Sequence, residues 1–222
     1  MRQVRFVLLL LASTALFSWP VFADTVSIGL SQNGGAITTV ASGTGSASFD
    51  GPFGTFSLIH ATGEGQSVLT PPDILFSDSI QTATSSGGGL QVFITDQGLT
   101  SPLGTVPFTS SFTANVLPSG WTMTESTLIS LTNGVYVGAP LGSANFSAIG
   151  TNVQTENGVT GSGPYSVTEV FTVLAVGAGD DNLTIDLSAT PVSTAEPNTL
   201  MLIGTGLLGI AYRRKRRVRK SY

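Results

Sequence analysis

The sequence predicts an all-β protein: an antiparallel β-sandwich, jelly-roll-like, with a signal-peptide helix before it and a short transmembrane helix after it. Three observations carry this reading. Turn signals such as "QNGG", "SGTG", "DGPFG", "TPPD", "SSGGG", "LPSGW" and "GAGDDN" punctuate the middle of the chain at short spacing. Between them lie short segments with period-2 alternation or β-branched enrichment, the pattern of half-buried strands. Every Lys and Arg of the 222-residue chain lies within its first five or its last ten residues, which sets both ends apart from the middle.

The chain opens "MRQVRFVLLLLASTALFSWPVFADTV". Arg2 and Arg5 form a positive n-region, residues 6–17 an apolar h-region, and Val21-Phe22-Ala23 a small-residue cleavage site. Pro20 stops the h-region helix just before that site. The h-region is short for a span of ~20 residues. Residues 1–23 are therefore expected to be a signal peptide, cut between Ala23 and Asp24.

Residues 24–192 are expected to form one extracytoplasmic domain. Strands are expected over residues 25–30, 45–49, 55–62, 74–82, 90–95, 109–116, 122–131, 144–149, 166–176 and 183–190. The expected core is Phe49, Phe56, Leu58, Ile74, Phe76, Val92, Ile94, Phe108, Phe112, Trp121, Leu128, Phe146, Val170, Val173, Ile185 and Leu187. The last two strands read as a hairpin about a Gly-Asp-Asp-Asn turn. Pro71-Pro72 offers an internal hinge, but composition is alike on both sides and no repeat is visible, so a single domain is expected. A body of this size can bury a useful core.

Composition excludes several chemistries. With no cysteine there is no disulfide and no thiolate nucleophile or ligand. Twelve acidic side chains lie between Asp24 and Asp186 with no Lys or Arg among them, so the body repels phosphate backbones and no nucleic-acid partner is expected. His60 is the single histidine, which rules out a His-based metal cluster within one chain. It alternates with Phe56 and Leu58, on their face of a strand. No G-x-S-x-G elbow occurs. Glu125, Glu156 and Glu169 are candidates for paired carboxylates, but sequence places no two of them at catalytic separation. Asp180-Asp181-Asn182 could offer oxygens to calcium; a hairpin turn explains the same letters. Asp73 and Asp78 are similar candidates. Trp121 and Tyr136 could stack on sugar faces or pack in the core. No catalytic, cofactor-binding or metal-binding residue is assigned, no cofactor is expected, and the body reads as non-enzymatic.

The tail, residues 193–222, has three parts: Ala195-Glu196-Pro197, a Gly- and Leu-rich apolar stretch over residues 198–212, and a basic end over residues 213–220. The apolar run from Leu200 to Tyr212 reaches roughly 20 Å as a helix, short of a hydrocarbon core of ~30 Å. Pro197 and Glu196 suit a helix start. Arg213, Arg214, Lys215, Arg216 and Arg217 form a basic stop that the positive-inside rule holds on the cytoplasmic side. The body would then lie outside the inner membrane, held through a marginal span.

This order of motif, apolar helix and Arg-rich end closely resembles the PEP-CTERM sorting signal of Gram-negative bacteria, with Ala195 in place of the motif's first proline. The resemblance covers about the last 27 residues. It implies recognition by an exosortase, processing near Ala195-Glu196-Pro197, and delivery to the cell surface or to an exopolysaccharide or biofilm matrix. The other reading of the body is a carbohydrate- or calcium-binding β-sandwich module that uses its loops.

Overall fold

The computed structural model describes residues 24–190. The expected signal peptide with Ala23, the sorting motif, the apolar helix and the basic stop lie outside the described residues. Within them, every regular element is a strand, and no helix is long and apolar enough to cross a membrane.

Twelve strands run in chain order. The first four are β1 (Thr25–Gln32), β2 (Thr38–Thr44), β3 (Ser46–Phe53) and β4 (Phe56–Gly65). Then come β5 (Asp73–Thr84), β6 (Gly88–Leu99), β7 (Thr105–Val116) and β8 (Thr122–Ser130). The last are β9 (Ala139–Phe146), β10 (Gly150–Val159), β11 (Tyr165–Ala175) and β12 (Gly179–Ala189). They form two six-stranded sheets, ordered β2-β1-β6-β11-β8-β9 and β10-β7-β12-β5-β4-β3. All the pairings are antiparallel.

The last eight strands make a jelly roll. In the order 10-7-12-5 against 6-11-8-9, they divide between two four-stranded sheets as two Greek keys do. The first four strands lengthen it: the β1–β2 hairpin extends one sheet past β6, and β4 with β3 extends the other past β5. The apolar phase of each strand points between the sheets. Val26, Ile28 and Leu30 of β1, Leu90, Val92 and Ile94 of β6, and Leu183, Ile185 and Leu187 of β12 are fully buried there. Phe56, Phe108, Phe112, Trp121, Tyr165 and Phe171 are the largest side chains of this core.

Several expectations are corrected. Strands β2 and β10 were not expected, and β9 begins five residues before the expected 144–149 segment. β2, β9 and β10 are all edge strands whose side chains are mostly exposed, so no apolar alternation marks them. The final pair is not a hairpin: β11 and β12 lie in different sheets, and residues 180–182 belong to β12 rather than to a turn. Leu58 is 40% exposed and Ile59 is buried in its stead. A register shift between Phe56 and Leu58 reverses the phase of β4 at that point. His60 accordingly points outward with Leu58, and its Nδ1 lies 3.7 Å from Oδ2 of Asp50, its cross-strand partner on β3. Trp121 is 1% exposed, a core residue.

Candidate functional site: a carboxylate pair at the start of the first strand

Polar groups enter a strand's buried face only when something there satisfies them. In this domain five carboxylates do so: Asp24, Asp96, Glu125, Glu169 and Asp181 are each 4% exposed or less. No Lys or Arg exists in this part of the chain to pair with any of them.

Asp24 and Asp96 come together. Asp24 immediately precedes β1, and β1 pairs with β6 so that Val26 lies opposite Asp96. The loop after β4 closes over both carboxylates. Gln66 N donates to Asp96 Oδ2 at 2.9 Å, and Ser67 N donates to Asp24 Oδ2 at 2.8 Å. Ser67 Oγ donates to Asp24 Oδ1. Backbone bonds from Gly45 N to Asp24 O (3.2 Å) and from Gly65 N to Gly45 O (2.8 Å) lock the same corner. Gly65 is glycine for a local reason: a Cβ there would stand 2.6 Å from Asp96 Oδ2 and 2.7 Å from Asp24 Oδ2. Both carboxylates thus converge on one backbone position. Asp96 Oδ1 is buried without a hydrogen-bond donor. Burial pushes Asp96 up to about 8, the Gln66 amide opposing, and the charge of Asp24 and a side-chain hydrogen bond with it adding. The adjacent Tyr165 phenol turns away, donating to Ser101 O at 3.0 Å.

The other buried carboxylates lie farther inside. Glu169 on β11 accepts from Ser77 Oγ on β5, across the gap between the sheets. Burial holds it well above the ordinary carboxylate range; the Ser77 bond opposes, and Asp186, Glu125 and Asp96 add. Both oxygens of Glu125 are buried without a short hydrogen bond; burial pushes this group up to about 8, the Thr113 backbone amide opposing and the charge of Asp181 adding. Asp181 Oδ1 accepts from Thr82 N at 2.7 Å, and burial pushes the group up to about 7 against that bond. Ser110 and Thr127 hydroxyls also meet across the interior, at 2.7 Å.

The sequence-derived candidates fall out as follows. Glu125 and Glu169 share the interior, on the neighbouring strands β8 and β11, while Glu156 sits on the exposed edge strand β10. Asp180, Asp181 and Asn182 open β12, with Asp181 inward and Asp180 outward. They line a small outer-face cavity of about 260 Å³ with Leu58, Gln81 and Val116. Tyr136 is half-buried over β1 and β6: its ring lies 5.8 Å from that of Phe93 and its hydroxyl donates to Thr39 Oγ1 at 3.1 Å. Neither proposed stacking aromatic is a free platform. Among the described residues no group of three or more His, Asp or Glu converges as a metal cluster.

Asp96 was singled out by nothing in the sequence reading, although a signal existed. In "LQVFITD" it follows Leu90, Val92 and Ile94 in phase, and an acid in an apolar phase marks either a strand end or a buried charge.

A family model described as the PEP-CTERM protein-sorting motif matches residues 195–217. The chain therefore carries this sorting motif at the position its three-part tail indicated. No curated protein matches the chain. Solved structures with similarity include TmCBM27, a carbohydrate-binding module that recognises mannan (10% identity, TM-score 0.34, covering 66% of this chain and 89% of that one). TmCBM61, solved with β-1,4-galactotriose, is 12% identical with a TM-score of 0.33, covering 51% of this chain and 70% of that one. The C-terminal CBM6 of LamC from Zobellia galactanivorans is 15% identical with a TM-score of 0.25, covering 51% and 90%.

Proposed function

We propose that this protein is an exported, non-catalytic β-sandwich that an exosortase processes near Ala195-Glu196-Pro197 and that ends at the cell surface or in an exopolysaccharide matrix. The observation that carries the reading is the sorting motif over residues 195–217, which begins a few residues after β12 closes the fold. The inner membrane is then a transient station. The signal peptide starts export, the marginal apolar helix holds the chain, and Arg213 to Arg217 keep its end inside. The acidic body supports the same reading, because mutual repulsion keeps a crowded surface component dispersed. Processing leaves a product whose trypsin behaviour tests the proposal. Residues 24–195 contain no Lys or Arg, so trypsin cannot cut them even when denatured. The expected result is a trypsin-resistant product, in cells with an active exosortase, whose intact mass starts at Asp24 and ends near Glu196. A product that keeps Arg213–Arg217 in those cells, detected as a trypsin-induced mass loss, refutes the processing step.

A further inference from the structure

We propose that Asp24 and Asp96 form a calcium site that closes the N-terminal corner of the sandwich. The inference concerns residues 24–190 alone and does not depend on how the chain is sorted.

Two carboxylates have been brought together inside a protein that has no cationic side chain to offer them. Asp24 comes from the start of β1 and Asp96 from β6, and both converge beside Gly65, where a Cβ would overlap their oxygens. The neighbouring backbone has already organised the pair: Gln66 N and Ser67 N each hold one oxygen. What remains is Asp96 Oδ1, on a fully buried residue, with no donor. Taking a carboxylate from water is costly unless a charge or donors replace the solvent. The Tyr165 phenol gives its hydrogen to Ser101 O rather than to Asp96. No Lys or Arg of residues 24–190 is available to balance the pair.

Calcium suits the donors that are present. It is a hard ion that takes carboxylate, hydroxyl and backbone carbonyl oxygens in flexible geometry, whereas magnesium demands a near-ideal octahedron and gives up water reluctantly. Two carboxylates supply the charge. Ser67 Oγ and the carbonyls of Asp24 and Gly45, gathered in the same corner, have lone pairs left after the bonds they make. The ion would tie together β1, β6 and the loop that follows β4, three segments otherwise joined here only by hydrogen bonds. The body carries twelve acidic side chains and no Lys or Arg, and that net charge attracts cations.

The test uses the exported chain, stripped with EDTA and freed of chelator. Calcium chloride is titrated calorimetrically and the unfolding temperature followed, with sodium chloride at matched ionic strength as control. The expected result is one calcium per chain and a rise of several degrees that sodium chloride does not give. Asp96→Asn, which keeps the side chain's shape, is expected to lose both. Asp180→Asn, on the outer face, is expected to keep both. Terbium in place of calcium supplies a readout that needs no damaging variant: excitation of Tyr165 sensitises its emission, and Tyr165→Phe removes most of that emission while the calcium-induced rise persists. Absence of a calcium-specific rise in the unmodified chain overturns the proposal. So does a rise retained by Asp96→Asn, or terbium emission that Tyr165→Phe leaves unchanged.

Discussion

Glu169 on β11 accepts a hydrogen bond from Ser77 on β5, and this pair joins the two sheets through the middle of the core. A carboxyl group buried in this way, with no basic partner, is held in its protonated form. Burial raises Glu125 and Asp181 as well, and a dependence of stability on pH follows.

Folded, these three groups bind protons more tightly than the unfolded chain does, because burial raises each of them. Below about pH 4, the ordinary carboxylate value, both states are protonated and the contribution to stability is fully present. As pH rises through the folded values near 7 and 8, the contribution is lost. In EDTA, the unfolding temperature is expected to be highest at mildly acid pH. Between pH 5 and pH 8.5 it should fall by roughly 5–10 °C, equivalent to a few kcal/mol for a domain of this size. Calorimetry across that range checks it, and a profile that rises with pH contradicts the account.

Glu125→Gln separates the charge from the shape. Neither oxygen of Glu125 has a short hydrogen bond, so the neutral amide removes an ionisation at little cost in bonding. The variant should be more stable than the parent by about 1–3 kcal/mol at pH 8.5, the scale of an unsatisfied buried polar group. The gain should shrink towards zero at pH 5. Paired urea titrations at the two values measure it.

Trp121 is the sole tryptophan of residues 24–190 and is sealed in the core. Trp121→Ala should cost about 3–5 kcal/mol in urea unfolding. The fluorescence of the intact protein should not shift when polysaccharide is added, because no sugar reaches the indole. A saturable shift would mean that the corner around Trp121 opens.

Gly29 lies under the loop between β8 and β9. A Cβ at this position would come within 2.7 Å of the Tyr136 ring and 2.8 Å of Ile37. Gly29→Val should therefore lift Tyr136 off Phe93 and cost about 1–3 kcal/mol, as overpacking does. In the Tyr136→Ala background the same change should cost markedly less, and a double-mutant cycle reads the coupling.

The sequence made the central strands legible and the borders obscure. Val26, Ile28 and Leu30, or Leu183, Ile185 and Leu187, alternate because both sheets bury one face of each strand, and that alternation can be read without a structure. β2 and β10 lie at sheet edges with little to bury, so "TTVASGT" and "GTNVQTENGV" look like loops. The phase reversal at Leu58 comes from a register shift that no local pattern announces. The carboxylate pair was hidden differently. Asp24 was visible as the expected first residue of the mature chain, and Asp96 as a polar end to an apolar run. Their meeting depends on β1 pairing with β6, sixty-odd residues away, and on a loop that folds back from β4.

The strand nearest the sorting segment is β12, and it occupies an interior place in its sheet, hydrogen-bonded to β5 on one side and to β7 on the other. Its last residues are clasped as well: Ala189 N donates to Pro72 O at 2.9 Å and Thr190 N to Pro107 O at 3.3 Å. Tension applied at Thr190 would therefore meet two ladders at once. An edge strand would peel away one bond at a time. A strand zipped along both margins shares the load, so the fold resists unravelling from its C-terminal strand.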